Sequence, residues 1–202
     1  MHFEFDSDNL EMQRTLRRFM DKHLLPQNQA VHRAWDQGRV PLEIIEPLKA
    51  LARDAGLWNL FLPGLRDDEP GTRMTNLQYA PMAEIMGRLP WASEVFNCNA
   101  PDTGNMELLH LFGTPEQRER WLKPMLAGTI RSAFSMTEPD VASSDATNIQ
   151  TTILRDGDDV VINGRKWFTS NAMHPNCRFA IVMGISDTSP DANPHKRHAM
   201  CI

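Results

Sequence analysis

Cysteine is scarce in this 202-residue chain: Cys98, Cys177 and Cys201 stand far apart and are odd in number, so neither a disulfide framework nor a paired-thiol metal knuckle is written into it. Positive charge is also in short supply. With 21 basic against 26 acidic residues the formal net charge is -5, which offers a polyanion such as nucleic acid no net attraction. No apolar run reaches the roughly 18 residues that span a bilayer, and the acidic start MHFEFDSDN lacks the basic and apolar regions of a secretory signal. The chain has no GxGxxG, no GxxxxGK[ST], no GxSxG and no HExxH, so dinucleotide, nucleoside-triphosphate, serine-hydrolase and zinc-protease readings lose their usual support. Together these absences lead to the expectation of a soluble cytoplasmic protein with reduced thiols and no metal site.

What is present begins as helix. Ser7 or Asp8 is placed to cap a first helix whose Met12, Leu16, Phe19, Met20 and His23 fall on one apolar stripe, where His23 reads as a packing or rim histidine. A second helix is expected to begin at Pro41 or Pro47 and to stop at Gly56, and a third covers about residues 73 to 88 around Pro81. NAPDTGNMELLHLFG reads as a fourth. Thr114-Pro115-Glu116-Gln117 opens a fifth with a capping box and a proline at its first position.

After Gly128 the pattern changes to β-branched alternation in TNIQTTILRDGDDVVINGRKWFTS, with turns expected at Asp156-Gly157 and Asn163-Gly164. FAIVMGI reads as a buried strand and RHAMCI as the start of another. The expected fold class is therefore α+β: a helical domain over residues 1–129, then an incomplete, antiparallel, barrel-like β domain over 130–202. Because Ile202 falls inside an apolar run, the chain reads as part of a longer one.

The stretch FSMTEPDVASSDATNIQ, from Phe134 to Gln150, is crowded with small hydroxyl side chains. A solvated loop is one reading of it, and a flavin cradle is the other. An isoalloxazine ring needs apolar contact on its faces, hydrogen bonds along its polar edge and a donor near N5. Thr137, held by the stiff Glu138-Pro139 step, offers such donors, Trp167 is suited to cover the ring, and Thr169 is suited to reach N5. HKRH at 195 to 198 reads as a solvated loop, with His195 and His198 poorly placed for a metal pair, and Cys177 beside Arg178 reads as an ordinary strand residue.

The order and spacing of LFGTPEQRERWLKPMLAG, IRSAFSMTEPDVASSDATNI and VINGRKWFTS resemble the acyl-CoA dehydrogenase family, and most of all the subgroup that carries TEPDVASSDAT where others have TEPGAGSD. NAPDTGNMELL and GLWNLFLP share in the likeness, which runs from about residue 8 to the end. It implies an N-terminal helical domain, a middle β domain and a C-terminal helical bundle, the last absent here, with FAD held between the middle and last parts beside a neighbouring subunit. By the same resemblance Phe134, Met136, Thr137, Ser143, Trp167, Phe168 and Thr169 hold the cofactor. Ser144 meets the CoA portion of the substrate, with Ser143 as its rival, and Asn99 and Ala100 lie on a helix bordering the acyl pocket.

The reaction implied is α,β-dehydrogenation of an acyl-CoA in a homodimeric or homotetrameric parent, with electrons passed to an electron-transfer flavoprotein. The general base implied is a glutamate of the absent bundle, so no catalytic residue is assigned within this chain, and Glu138 reads as structural. The cytoplasm, or a mitochondrion or peroxisome in a eukaryote, is the compartment expected. A non-catalytic interaction module and a flavin monooxygenase or oxidase on the same scaffold are the rival functions. Asn171-Ala172-Met173 departs from the glycines that many relatives place there, and asparagine tolerates the left-handed backbone such a turn uses.

Overall fold

The computed structural model describes residues 4–202, and these form two compact units, one ending at Thr129 and one running from Ile130 to Ile202. In the first, eight α-helical segments follow in order: α1 (Ser7–Phe19), α2 (Asn28–Asp36), α3 (Leu42–Asp54), α4 (Asn76–Met86), α5 (Ala92–Val95), α6 (Asp102–Phe112), α7 (Pro115–Gln117) and α8 (Lys123–Leu126). Asp6, rather than Ser7 or Asp8, caps α1 by accepting the Asn9 N–H at 2.7 Å. The Thr114–Gln117 capping box forms as the sequence suggests, and Thr75–Gln78 makes another at the head of α4.

Two helical stretches widen to π turns, Met20–Leu24 and Arg118–Leu122, and each is followed within two residues by a proline, Pro26 or Pro124. The proline ring cannot donate to the preceding turn, so the N–H just before it reaches five residues back, Leu25 to Met20 and Lys123 to Arg118. Pro47 and Pro81 instead lie inside α3 and α4. Each helix tolerates the lost hydrogen bond because its apolar face is packed, with Ile45, Leu48 and Ala52 on one and Met82, Ile85 and Met86 on the other. This core draws together Leu16, Phe19, Leu24, Val31, Trp91 and Phe96 as well. His23 rests on it, its ring 4.8 Å from that of Phe19.

Of the Met125, Leu126 and Ala127 carbonyls that end α8, a backbone N–H, that of Gly128, reaches only that of Met125, and side chains serve all three. Trp58 Nε1 and Asn59 Nδ2 donate to the Leu126 carbonyl, Asn97 Nδ2 to that of Met125 and an Arg53 guanidinium nitrogen to that of Ala127, all at 2.8 or 2.9 Å. Asn97 Nδ2 also reaches Asn59 Oδ1 at 2.7 Å. Both asparagines have positive φ, 51° and 54°, a region their short polar side chains tolerate.

The second unit is a five-stranded sheet of β1 (Arg131–Ser135), β2 (Thr152–Asp156), β3 (Asp159–Asn163), β4 (Cys177–Ile185) and β5 (His198–Cys201). The expected succession of helices and sheet is present, but the sheet is mixed and is not closed among the described residues. β1 and β2 both run parallel to β4, while β2–β3 and β4–β5 are antiparallel. Val182 pairs with both Ser135 and Cys201, and Ile185 with both Thr152 and His198, so β5 occupies one edge of β4 while β1 and β2 follow each other along the other. Long intervening segments permit parallel pairing, and apolar alternation reports which face is buried rather than strand direction.

Asp156-Gly157 makes the expected β2–β3 hairpin, with Gly157 at φ 62°. Asn163-Gly164 does not form a second one. Instead Gly164 passes so close to Thr151 that an added Cβ would lie 2.8 Å from the Thr151 Cα, and the chain continues in irregular backbone to Thr169.

Candidate functional site

β1 delivers Phe134 and Ser135 to the edge of β4 and then releases Met136, Thr137 and Glu138 into the hydroxyl-rich loop. The stretch after Gly164 returns alongside it. The Trp167 N–H donates to the Thr137 carbonyl at 3.1 Å, and the Lys166 ammonium donates to the Met136 carbonyl at 2.8 Å and to Glu138 Oε1 at 2.9 Å. The two segments singled out in the sequence therefore meet, residue against residue.

Glu138 is the hub of that meeting. Only 6% exposed, its carboxylate accepts the Gln150 N–H and the Thr151 N–H, both at 2.8 Å, besides the Lys166 ammonium. Burial pushes its pKa up, but the Lys166 bond and the donors from Thr151 and Gln150 outweigh that and hold it at about 2. A carboxylate so committed is ionised and fully bonded, which fits a structural part and not that of a proton acceptor. Lys166, which joins the loop to the returning stretch, was not singled out in the sequence. A lysine before Trp167 carries no signal of its own in the sequence, because its partner Glu138 is 28 residues away.

Ser143 and Ser144 separate cleanly. The Ser143 hydroxyl is buried, accepts the Glu138 N–H at 2.8 Å and donates back to loop carbonyls, so it is spent on the turn itself. Ser144 is exposed. The Asp145 side chain caps the short turn Ala146–Asn148, accepting from the Thr147 N–H and hydroxyl. HKRH is not wholly a solvated loop: Arg197 donates to the Thr147 carbonyl at 2.8 Å and His198 opens β5, where burial and the Arg197 charge lower the His198 pKa.

The hydroxyls of Thr137 and Thr169 make no hydrogen bond to any described residue. Near them Trp167 is 46% exposed and Phe168 79% exposed, their ring centroids 4.5 Å apart. Phe168 adopts φ 48°, a left-handed conformation that costs a bulky residue on the order of 1–3 kcal/mol. Asn171, at φ 68°, takes the left-handed turn in place of a glycine, as its chemistry allows. Threonine hydroxyls uncommitted among the described residues, a half-open indole and an exposed, strained aromatic, on segments joined by the Trp167–Thr137 backbone bond and by Lys166, are compatible in their chemistry with a flat aromatic ligand that has a polar rim, such as a flavin.

In the helical unit Asn99 and Ala100 stand in the turn that enters α6, not on the helix itself, and the Asn99 Oδ1 is buried with no hydrogen-bond partner among the described residues. A separate cleft of about 580 Å³ in this unit is bordered by Arg66, Glu69, Arg118 and Lys123, none of them assigned a role by the sequence. No cluster of metal-ligating side chains occurs among the described residues, and no helix there is long and apolar enough to cross a membrane.

Helical unit followed by mixed sheet is the layout of the acyl-CoA dehydrogenase N-terminal and middle domains. Residues 6–129 match the family model of the acyl-CoA dehydrogenase N-terminal domain and residues 133–202 that of the middle domain, and the chain belongs to the acyl-CoA dehydrogenase family. It is 60% identical over 160 residues to a Mycobacterium tuberculosis protein named probable acyl-CoA dehydrogenase FadE2, covering 79% of this chain and 37% of that one. A solved structure from Mycobacterium abscessus, described as a candidate acyl-CoA dehydrogenase, aligns with TM-score 0.85 and 48% identity over 98% of this chain and 50% of its own. The glutaryl-CoA dehydrogenase of Mycobacterium smegmatis, solved in complex with FADH2, shares the fold at TM-score 0.66 and 22% identity, over 91% of this chain and 44% of its own. The chain thus spans half or less of the length of these relatives.

Proposed function

We propose that this chain forms the flavin-facing and substrate-facing part of an FAD-dependent enzyme that introduces an α,β double bond into an acyl-CoA thioester. The observation that carries the reading is the Trp167-to-Thr137 backbone bond, which sets two uncommitted threonine hydroxyls and an open indole on adjoining segments. Bound there, the flavin supplies a hydride acceptor. Thr137 and Thr169 serve its polar rim, Trp167 and Phe168 its face, Met136 and Phe134 the approach from β1, and Ser143 shapes the loop. Ser144 is the hydroxyl offered to the CoA portion, with Asn99 and Ala100 toward the acyl chain. No base is assigned to these residues, because the buried carboxylate at hand, Glu138, is already saturated with donors. A C-terminal helical bundle supplies the base, the working enzyme is a homodimer or homotetramer, and an electron-transfer flavoprotein takes the electrons.

The test is a titration of the 202-residue chain with FAD, read on flavin fluorescence, together with dye reduction in the presence of an acyl-CoA. Weak, sub-stoichiometric binding is expected, because part of the contact surface lies elsewhere. Trp167→Ala and Thr169→Val each weaken it further, and no dye is reduced. A stoichiometric yellow complex that reduces dye would put a base within these residues, and binding indifferent to both substitutions would remove the flavin from this site.

A further inference from the structure

We infer that Lys166 and Glu138 are positioning residues, a buried ion pair that locks the Met136–Thr137 backbone against Trp167–Thr169 and so presets the spacing of the two flavin-facing segments. The inference rests on the flavin reading above for its purpose but on geometry alone for its existence. Lys166 is 12% and Glu138 5% exposed at the side chain, and their contact is 2.9 Å. Two charges so placed have lost most of their hydration, and only a full set of hydrogen bonds makes that tolerable. The set is nearly full: the carboxylate takes three donors and the ammonium gives two of its three bonds within the protein.

What these bonds reach distinguishes a positioning device from a generic stabiliser. The ammonium bonds the Met136 carbonyl, one residue from the Thr137 carbonyl that accepts the Trp167 N–H. The carboxylate bonds the amides of Gln150 and Thr151, at the far end of the same loop. One pair therefore ties the start of the loop, its end and the returning aromatic stretch to a common point. With the lysine shortened or uncharged, the Trp167–Thr137 bond is left as the one backbone link between the two segments among the described residues, and it lies in irregular structure with exposed neighbours.

The test is amide hydrogen exchange on the full 202-residue chain, comparing Trp167 with Leu154 and Val161 of the β2–β3 ladder. In Lys166→Met the Trp167 amide is expected to exchange about tenfold faster or more while the ladder stays within about twofold, and Lys166→Arg restores most of the protection. Should Lys166→Met fail to fold, the double variant Lys166→Met with Glu138→Leu removes both charges without stranding one, and it is expected to show the same local loss. Trp167 exchange unchanged from wild type, or Trp167 and the ladder accelerating together, overturns the inference. FAD titration of the same variants is the second readout, with about tenfold weaker binding expected wherever Trp167 protection is lost. If the wild-type chain leaves flavin fluorescence unaltered, the flavin reading fails while the exchange result still decides whether the pair sets the geometry.

Discussion

The helical unit and the sheet unit solve the same problem with different materials. In the first, side chains such as Leu16, Val31, Met82 and Phe96 vanish into one apolar cluster, polar groups close the carbonyl ends of α8, and one buried cation, Lys49, pairs with Glu46. In the second the buried apolar set is small, Ala133, Ile149, Ile153, Phe179 and Ile181, while Val160, Val161 and Ile162 of β3 remain open to solvent. Its hydroxyl-rich loop is held by the Glu138 carboxylate and its donors instead. Apolar packing is nearly indifferent to pH and can be trimmed by degrees, whereas a charge hub fails all at once when one partner goes.

The largest effect that would sharpen this contrast is in the helical core. Phe96→Ala, at a fully buried position, is expected to cost about 3–5 kcal/mol by denaturant unfolding, with no dependence on pH between 3 and 7. Glu138→Gln should approach that loss, about 3 kcal/mol or somewhat more, because it strands a buried ammonium. Its contribution is also pH-dependent in wild type. The folded pKa is depressed from 4.5 to about 2, so the stabilisation is whole above the unfolded value and disappears as pH falls from 4.5 through 2. An acid titration by circular dichroism should show that loss in wild type and not in Glu138→Gln; identical acid profiles would break the comparison.

Smaller losses follow. Asn97→Ala leaves Asn59 Oδ1 without a donor among the described residues and takes one of the donors from the Met125 carbonyl, which keeps the Gly128 N–H, for about 1–3 kcal/mol. Thr114→Ala removes a helix cap for about 1 kcal/mol, measured as a shift in thermal midpoint. Val161→Thr on exposed β3 should stay within about 0.5 kcal/mol, and a larger loss would mean that the hairpin is more deeply packed than its exposure indicates.

The helix start at Thr114 was readable from a hydroxyl three residues before a glutamine, because that signal is local, while the same signal at Thr75 went unread and α4 was expected from about residue 73. α2 went unread since Val31 and Ala34 are its only buried positions, too few to announce a helical period. Strand locations were readable from alternation, but the parallel course of β1 and β2 along β4 is a fact about residues 33 or more apart and leaves no local mark. The same holds in the site. Thr137, Trp167 and Thr169 could be named from their chemistry, yet the lysine that brings their segments together is legible only once Glu138 is seen buried beside it.

β1 ends opposite Val182 and β2 begins opposite Ile185, so residues 136–151 leave and re-enter the sheet three positions apart on one strand, about 10 Å. The excursion is stapled at its base like the handle of a cup. Lengthening the handle changes its closure entropy only logarithmically, about 0.6 kcal/mol for a doubling. A lineage can therefore insert a residue between Pro139 and Ser143 and reshape the rim without disturbing the wall beneath.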